Sequence, residues 1–399
     1  MSLGILVNYI DRVNISHALV PISAELHLSP VERGVLFSAF SWGYVALMGI
    51  GGLLIDRYGA IRMSATAACA WSLSTLLSGL AWNFSSILVS RFAVGIGEAP
   101  IFPANARLVR EEFPLDERGR ATALFDVGSY IGTALSAPIV VFLIVSFGWR
   151  TSFFACALLG LIWVALWLRL APGLSGSNPT SAPAPRRPVL NGIGCLLRNR
   201  KVLGASCGFF AYNYAKSFFL TWFPAYLVSE KGFSFLRVGI VGMIPAMCAV
   251  LGGLSAGWWT DRLIRNGISV TVARKLPLCL GMLLAASVVL ADHVTSQWAV
   301  LGVLSFAFAS TIGASSGIWA IPGDIAPSSD YVGTIGGIQN TVANMAGIVA
   351  PVITGWLVAK TGSFGPALAL SGAISVSGAV CYWFVVGELR PLWTVEEGT

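Results

Sequence analysis

Long apolar stretches recur along the whole chain, and they constrain its fold more than any other feature. About twelve are roughly 20 residues long, the length that an α-helix needs to cross the hydrocarbon core of a membrane. They lie at 2–21, 34–55, 63–82, 85–109, 121–146, 150–170, 202–228, 236–259, 276–292, 297–322, 333–358 and 365–387. The sequence therefore predicts an all-α membrane protein with twelve transmembrane helices.

The composition excludes several other classes of protein. Charged residues make up 11% of the chain and hydrophobic residues 56%, whereas a typical soluble domain has about 25% charged residues. The net charge of +7 comes from 25 Lys and Arg that are dispersed among apolar runs. We therefore expect a lipid bilayer as partner and no nucleic acid. The 3 His are scattered and the Cys show no paired spacing, so neither a metal site nor a cofactor is predicted.

The distribution of polar loops predicts the domain organisation and the orientation. The longest polar stretch, 171–201, is rich in Pro and basic residues, and we interpret it as a cytoplasmic linker between six-helix halves at 1–170 and 202–399. Most Lys and Arg in loops fall on the side of the two termini. The opposite loops contain Arg33, Arg150, Lys231, Arg237 and Lys360. The positive-inside rule thus places both termini in the cytoplasm.

The two predicted halves share an internal repeat. An offset of 205 residues takes Asp56 to Asp261, Asn8 to Asn213 and Asp11 to Lys216, since 261 − 56 = 205. Later, Pro138 and Gly148 match Pro351 and Gly362 at offsets of 213 and 214. Two repeated halves related by an axis along the membrane normal are typical of transporters. In such proteins the substrate site lies between the halves, near the middle of the membrane.

One loop carries a recognisable motif, G-x-x-x-D-R-x-G-x-x-R, at 52–62. With this motif the chain resembles the major facilitator superfamily. Further stretches are similar to the anion:cation symporter family, in its bacterial sugar-acid form. These are 8–12, 91–100, 103–105, 117–121, 219–227 and 344–351. The resemblance implies a multi-pass inner-membrane protein that imports a small organic anion together with protons, and we expect it to be monomeric. Galactonate, glucarate and hexuronate represent the expected class of substrate.

Charged side chains within the spans are the first candidate site residues, because each costs about 2.5–3.5 kcal/mol at the centre of a membrane. Arg91 and Glu98 are seven residues apart, which puts them on one helix face about 10 Å apart. The resemblance implies that Asp11 and Glu98 couple protons and that Arg12 or Arg91 binds or gates the anion. A buried ion network that only holds spans one and four together is the alternative.

Polar residues elsewhere are candidates for the rest of a substrate site. Tyr9, Ser129 and Asn344 can hydrogen-bond substrate hydroxyls, although hydrogen bonds between helices explain them equally well. Lys216 is either a second cation for the substrate or the partner of Asp126 or another carboxylate. Sugar-acid members of the family often have Gln where this chain has Ser129, and an uncharged residue where it has Lys216.

The motif loop predicts a conformational latch rather than a ligand site. We assign Asp56, Arg57, Gly59 and Arg62 to this latch. Glycine at 59 permits a tight turn, and Asp56 ends a span where it can meet a helix N-terminus or a cation. A passive connection between two helices is the alternative.

The sequence supports other functions less well than the import of an organic anion. An aromatic-carboxylate or dicarboxylate permease of the same fold remains open, as does a membrane sensor that binds a ligand without moving it. A drug antiporter would carry G-x-x-x-G-P-x-x-G-G in span five, where this chain lacks it. An enzyme is not predicted, because the sequence shows neither clustered His nor a nucleophile with a base.

Overall fold

The computed structural model describes residues 1–114, 117–171, 190–327 and 329–393, without the side chains of 49–53, 56, 110, 118–126, 190–193 and 329–330. Helices and no strands occur in these residues, so the all-α prediction is confirmed. The helices are α1 (Ser2–Glu25), α2 (Pro30–Tyr58), α3 (Ala60–Gly79), α4 (Phe84–Glu98), α5 (Ile101–Glu112), α6 (Arg118–Phe147), α7 (Trp149–Leu170), α8 (Leu190–Arg198), α9 (Arg200–Thr221), α10 (Phe223–Ser229), α11 (Phe235–Val241), α12 (Met243–Arg265), α13 (Val270–Ala285), α14 (Leu290–His293), α15 (Gln297–Ile318), α16 (Ile321–Ile325), α17 (Ser329–Thr361) and α18 (Gly365–Val380).

In the described part of the chain, twelve helical stretches are long enough to cross a membrane. Among the described residues, 8 stretches are both long and apolar enough. They are Phe84–Val109, Val127–Phe147, Trp149–Leu170, Phe235–Arg265, Val270–His293, Gln297–Ile325, Tyr331–Thr361 and Gly365–Val385. In addition, α1, α2, α3 and α9 have 24, 29, 20 and 22 residues, which suffices to span the bilayer.

Several predicted spans consist of two helices rather than one. The stretch 85–109 breaks between α4 and α5, where Pro100 precedes Ile101. The stretch 202–228 breaks at Trp222, just before Pro224 at the start of α10. Proline has no backbone N–H and clashes with the preceding turn, so a new helix begins there.

Local sequence also determines where the helices begin and end. At the start of α2 the Ser29 hydroxyl accepts from the backbone N–H of Glu32 at 3.3 Å, and the Glu32 carboxylate accepts from the Ser29 N–H at 2.8 Å. This capping box pairs backbone donors that the helix leaves free. Between α6 and α7, Gly148 adopts a φ of 85°, a conformation that favours glycine.

The described residues group into two compact units. The first contains those of Met1–Ala182, Leu220–Met243 and Pro351–Lys360, and the second those of Pro183–Phe219, Ile244–Ala350 and Thr361–Thr399. The short helix α8 lies within the predicted linker 171–201, of which 172–189 falls outside the described residues. The division into sequence halves at this linker stays a prediction.

Small residues allow close helix packing in the first unit. A side chain at Gly43 of α2 would collide with the Phe92 carbonyl, and one at Gly95 of α4 with the Phe40 carbonyl. Reciprocal contacts of this kind let two membrane helices approach each other closely. They fix α4 against α2, which matters because α4 carries two of the candidate charges.

The side of the first unit on which α1 connects to α2, called here the α1–α2 side, is tightly packed. The Trp222 indole donates to the Pro351 carbonyl at 3.2 Å, and its ring meets that of Phe37 edge-on at 5.5 Å. A side chain at Gly34 would collide with the same carbonyl of Pro351, and one at Gly355 with the Pro30 carbonyl. Residues of both predicted sequence halves therefore join in this packing.

Two cations cap the end of the last membrane helix in the second unit. The Lys275 ammonium, on a residue that is 3% exposed, donates to the carbonyls of Trp383 at 2.8 Å and Gly387 at 2.6 Å. The Arg200 guanidinium donates to the carbonyls of Val385 and Phe384, both at 3.2 Å. A helix end leaves its last carbonyls unpaired, and these cations pair them.

We predict that Lys275→Met destabilises the protein. The substitution removes two hydrogen bonds from a charged donor and leaves two carbonyls unpaired, which should cost about 1.5–3 kcal/mol. Thermal unfolding of the purified protein in detergent measures the effect. Lys360→Met, at an exposed position, is the matched control and should change stability by no more than about 0.5 kcal/mol. Equal unfolding temperatures for the two variants would contradict the capping role.

Candidate functional site

An ion pair between α1 and α4 forms the centre of the candidate site. The Arg12 guanidinium donates to Glu98 Oε2 through Nε at 2.8 Å and through Nη2 at 2.5 Å. The Glu98 side chain is fully buried, whereas 19% of the Arg12 side chain is exposed. The second carboxylate oxygen, Glu98 Oε1, has no hydrogen-bond partner in the described part of the chain. The Arg12 guanidinium of this pair is thus partly exposed, and among the described residues Glu98 Oε1 can still accept a hydrogen bond.

Aromatic rings surround the Arg12 guanidinium. Its central carbon lies 4.7 Å from the ring centre of Phe40, 5.0 Å from that of Tyr9 and 5.4 Å from that of Tyr44. The negative face of an aromatic ring attracts a cation, by about 0.5–2 kcal/mol for each contact. Phe40 also lies 5.6 Å from the guanidinium carbon of Arg91. One ring of α2 is therefore shared by both arginines.

Arg91 is the most deeply buried cation of the site. It is 1% exposed, and its Nε and Nη1 have no hydrogen-bond partner in the part of the chain that the structure describes. Asp11 and Glu98 are the carboxylates that attract it electrostatically. An arginine in this environment is always charged, and its planar fork of donors matches the two oxygens of a carboxylate. Arg91 can therefore bind an anion without first breaking a hydrogen bond through these two nitrogens.

Asp11 lies on α1 next to Arg12 and is 1% exposed. Its Oδ2 accepts a hydrogen bond of 2.6 Å from the hydroxyl of Thr75 on α3. Its Oδ1, like both amide atoms of the fully buried Asn8, has no partner among the described residues. The two acids thus differ in their partners, since Glu98 pairs with a cation and Asp11 with a neutral hydroxyl.

The first unit brings together five of the residues predicted for the site. Tyr9, Asp11, Arg12, Arg91 and Glu98 contact one another or share partners. Ser129, also in this unit, is 8% exposed and lies on α6, which packs along α1.

The other two predicted site residues belong to the second unit. The Lys216 ammonium lies 6.0 Å from the ring centre of Tyr212, and the Asn344 amide donates to the Asn340 carbonyl at 2.8 Å. Neither contact tests whether these residues bind substrate, so their roles stay predictions. The side chain of Asp126, the possible partner of Lys216, lies outside the described residues.

The predicted latch is described in part. Gly59 adopts a φ of 81°, and the side chains of Arg57 and Arg62 are exposed. The side chain of Asp56 lies outside the described residues. Nearby, Arg107 donates from Nη1 to the Ile55 carbonyl at 2.8 Å, which ties α5 to the last turn of α2.

Sequence reasoning missed three residues of the site, namely Phe40, Tyr44 and Thr75. The aromatic pair leaves a weak signal, because residues four apart share a helix face. Thr75 leaves none, because α3 contains many Ser and Thr and nothing in its sequence distinguishes this one.

Comparison with known proteins identifies the family. The sequence model of the Major Facilitator Superfamily matches residues 1–351. The chain belongs to this superfamily. The family prediction and the predicted all-α fold of the major facilitator type are thereby confirmed, and the predicted count of twelve membrane helices is consistent with that fold.

Curated relatives of this superfamily member are transporters. It is 38% identical to the "Probable galactarate/D-glucarate transporter GarP" of Escherichia coli (strain K12), over 96% of this chain and 92% of that one. It is 34% identical to the "Probable galactarate/D-glucarate transporter GudP" of Bacillus subtilis (strain 168), over 96% and 90%. It is 32% identical to the "D-galactonate transporter" of Escherichia coli O6:H1, over 97% and 94%.

A solved structure supports the fold. A bacterial homologue of the human lysosomal transporter Spinster, solved in an inward-facing and occupied conformation, superposes with a TM-score of 0.75. It is 18% identical and covers 96% of this chain and 93% of its own. At this identity the likeness concerns the fold alone.

We predict that the stabilities of Arg12 and Glu98 variants are strongly non-additive. Arg12→Met leaves a buried carboxylate without its cation, and breaking one side of a buried pair typically costs about 3–5 kcal/mol. Adding Glu98→Gln to Arg12→Met removes that unpaired charge and should restore part of the loss. Thermal unfolding of the two single variants and the double variant gives the coupling energy, expected at about 1–3 kcal/mol.

An exposed ion pair provides the control for this cycle. Arg390 and Glu388 are 3.5 Å apart, and their side chains are 71% and 65% exposed. Exposed pairs contribute little, so the same cycle there should be additive to within about 0.5 kcal/mol. Additive effects at Arg12 and Glu98 as well would contradict the buried pair.

Proposed function

We propose that this protein imports a sugar acid, with galactarate and D-glucarate as the leading candidates, in symport with protons. The observation that carries the proposal is the buried cluster of Arg12, Arg91, Asp11 and Glu98, in which two cations lie beside two acids in the first unit. The relatives named above, which transport galactarate, glucarate and galactonate by name, support the choice of substrate class.

The two arginines have different proposed roles in anion binding. In the part of the chain that the structure describes, Arg91 is enclosed and has two donor nitrogens without a partner, so we assign it the substrate carboxylate. Arg12 is partly exposed and already paired with Glu98. A substrate carboxylate that approaches Arg12 competes with Glu98 for the same donors, and this competition links anion binding to the state of Glu98.

The charges of the cluster explain why protons should accompany the anion. When both acids are ionised, two arginines and two carboxylates sum to zero. An added carboxylate leaves one uncompensated negative charge where the low dielectric makes it costly. Protonation of Asp11 or Glu98 restores neutrality. We therefore infer that substrate and proton bind together and leave together, as symport requires.

The remaining predicted contacts fit a polyhydroxylated acid. We retain Tyr9 and Ser129 of the first unit, and Lys216 and Asn344 of the second, as proposed substrate ligands. Hydroxyl and amide groups serve the sugar hydroxyls, and Lys216 supplies a further cation. A dianion such as galactarate would benefit most from that additional charge.

Transport further requires alternating access, for which we propose an orientation and a gate. The positive-inside rule supports cytoplasmic termini in the bacterial inner membrane, and we expect a monomer to suffice. The α1–α2 side then faces outward. Its packing, in which Trp222 bonds Pro351, serves as the outer gate that opens when the sequence halves rock. Asp56, Arg57, Gly59 and Arg62 serve as a latch on the inner side.

We predict that Asp11→Asn and Glu98→Gln each abolish concentrative uptake but retain binding or exchange. The assay is uptake of a labelled sugar acid into proteoliposomes with a more acidic exterior. The panel contains galactarate, D-glucarate, galactonate, a hexuronate and an aromatic carboxylate, so that it also identifies the substrate. Without a titrating carboxylate the pH gradient cannot drive accumulation, whereas the arginines still hold the anion.

Glu388→Gln, at an exposed carboxylate, controls for the loss of negative charge and should accumulate substrate like the unaltered protein. Full accumulation by both Asp11→Asn and Glu98→Gln would rule out these acids as the coupling groups. Binding of a panel member by the unaltered protein without any transport would instead support a membrane sensor.

A further inference from the structure

Thr75 of α3 stands apart from the other hydroxyl residues of its helix. The hydroxyls of Ser64 and Ser72 have no hydrogen-bond partner in the described part of the chain, and that of Ser78 also donates to the Ser90 hydroxyl of α4 at 2.9 Å. The hydroxyls of Thr66, Ser74 and Ser78 each donate to a backbone carbonyl one turn earlier in α3, at 3.1, 2.8 and 3.2 Å. This is the ordinary way for Ser and Thr to satisfy their O–H in an apolar helix. The Thr75 hydroxyl instead donates across to Asp11 of α1 at 2.6 Å.

The length and burial of this hydrogen bond indicate that the Thr75 hydroxyl bonds the ionised form of Asp11. Thr75 is 0% exposed and Asp11 is 1% exposed, so water does not compete for either group. An O–H···O distance of about 2.5–2.7 Å is typical of a hydroxyl that donates to an ionised carboxylate. A protonated Asp11 would keep its acceptor oxygens, but the bond would lose its charge-assisted part. The Thr75 hydroxyl therefore favours the ionised form of Asp11.

The packing of α3 holds Thr75 in register with the charged cluster. Trp71, one turn before Thr75, is 1% exposed and packs against Gly97 of α4, where a side chain would come within 2.6 Å of the Trp71 backbone nitrogen. Gly97 precedes Glu98 directly. On its other side, Trp71 stacks on Trp163 of α7 with ring centres 6.3 Å apart. The hydroxyl of Thr75 is thus positioned by helices that also carry the site.

We propose that Thr75 is a positioning residue that sets the pH range over which Asp11 takes up and releases the transported proton. This inference rests on the proposed role of Asp11 in proton coupling. In the ionised state the hydroxyl stabilises the carboxylate, so the proton leaves more readily after the substrate has been delivered. Without the hydroxyl, Asp11 would hold its proton more tightly and the carrier would return more slowly.

Other titratable and charged groups also face Asp11 from the helices packed around it. Arg91, Arg12 and Glu98 are the charged groups among them. Cys156 of α7 also interacts with Asp11 electrostatically. In the described part of the neighbouring helices, Tyr44 of α2 and Tyr130 of α6 interact with Tyr9 of α1, and His17 is buried further along α1. Among the described residues, the Asp11 carboxylate accepts its hydrogen bond from Thr75 and from none of these groups. Removal of the Thr75 hydroxyl therefore acts on Asp11 directly and leaves those other groups in place.

The test compares Thr75→Val with the unaltered protein in two assays on proteoliposomes. The probe is the sugar acid that the unaltered protein accumulates fastest in the panel above, expected to be galactarate. Exchange of this acid at equal pH on both sides, measured from pH 5 to 9, should stop at a higher pH in Thr75→Val. We expect the pH at which exchange is half-maximal, its midpoint, to rise by about one unit, which corresponds to a tenfold increase in the proton affinity of Asp11. Net uptake near neutral pH should fall several-fold.

Matched variants separate this role from a structural one. Val has the shape of Thr without the hydroxyl, and Thr75→Ala is a second variant that lacks the hydroxyl, so both midpoints should rise. Thr75→Ser should restore the original midpoint. Ser74→Ala, at the neighbouring hydroxyl that bonds its own helix, should leave the midpoint unchanged. Reduced rates with an unchanged midpoint in both Val and Ala variants would overturn the proposal.

Asp11→Asn distinguishes the failure of this proposal from that of the proposed function. In an Asp11→Asn background, Thr75→Val should not move the pH dependence of exchange any further. If Asp11→Asn still accumulates substrate, the coupling role of Asp11 is wrong and the role of Thr75 falls with it. If Asp11→Asn loses accumulation while Thr75→Val keeps the original midpoint, only the role of Thr75 is wrong.

Discussion

The burial of charge in an apolar helix core is the constraint on which the rest of this structure depends. Four ionised side chains on two helices would each cost several kcal/mol alone, so they must compensate one another. The Arg12–Glu98 pair does so directly, through two hydrogen bonds to one carboxylate oxygen. Its position also matters, because Glu98 is the last residue of α4 and lies at the negative end of the helix dipole. A nearby cation is therefore required whenever this acid is ionised.

The packing around the cluster follows from that requirement. Gly43 and Gly95 bring α2 and α4 into close contact, and this contact positions Phe40 over both guanidinium groups. The break after Glu98 at Pro100 ends one helix at the level of the charges and starts another. Local disruptions of this kind are tolerated in membranes where they are enclosed by protein or line a cavity. The polar site thus depends on glycine and proline as much as on its charges.

Most of the fold could be predicted from the sequence, since long apolar runs can satisfy their backbone only as helices in a membrane. The charges could be predicted for the same reason, because Asp11, Arg12, Arg91 and Glu98 interrupt those runs. The pairing could not be predicted. The sequence placed Arg91 and Glu98 on one face, but the structure pairs Glu98 with Arg12, and that choice depends on how α1 approaches α4. Thr75 was missed for a similar reason, as its partner lies 64 residues away.

Proton uptake on substrate binding tests the central claim most directly. Galactarate is titrated calorimetrically into the purified protein at neutral pH, in two buffers that differ in their enthalpy of ionisation. The difference in heat gives the number of protons bound with each substrate molecule. A neutral cluster that accepts an anion predicts net uptake approaching one proton, and almost none in an Asp11→Asn/Glu98→Gln double variant that still binds. Tight binding to the unaltered protein without any proton uptake would contradict the account.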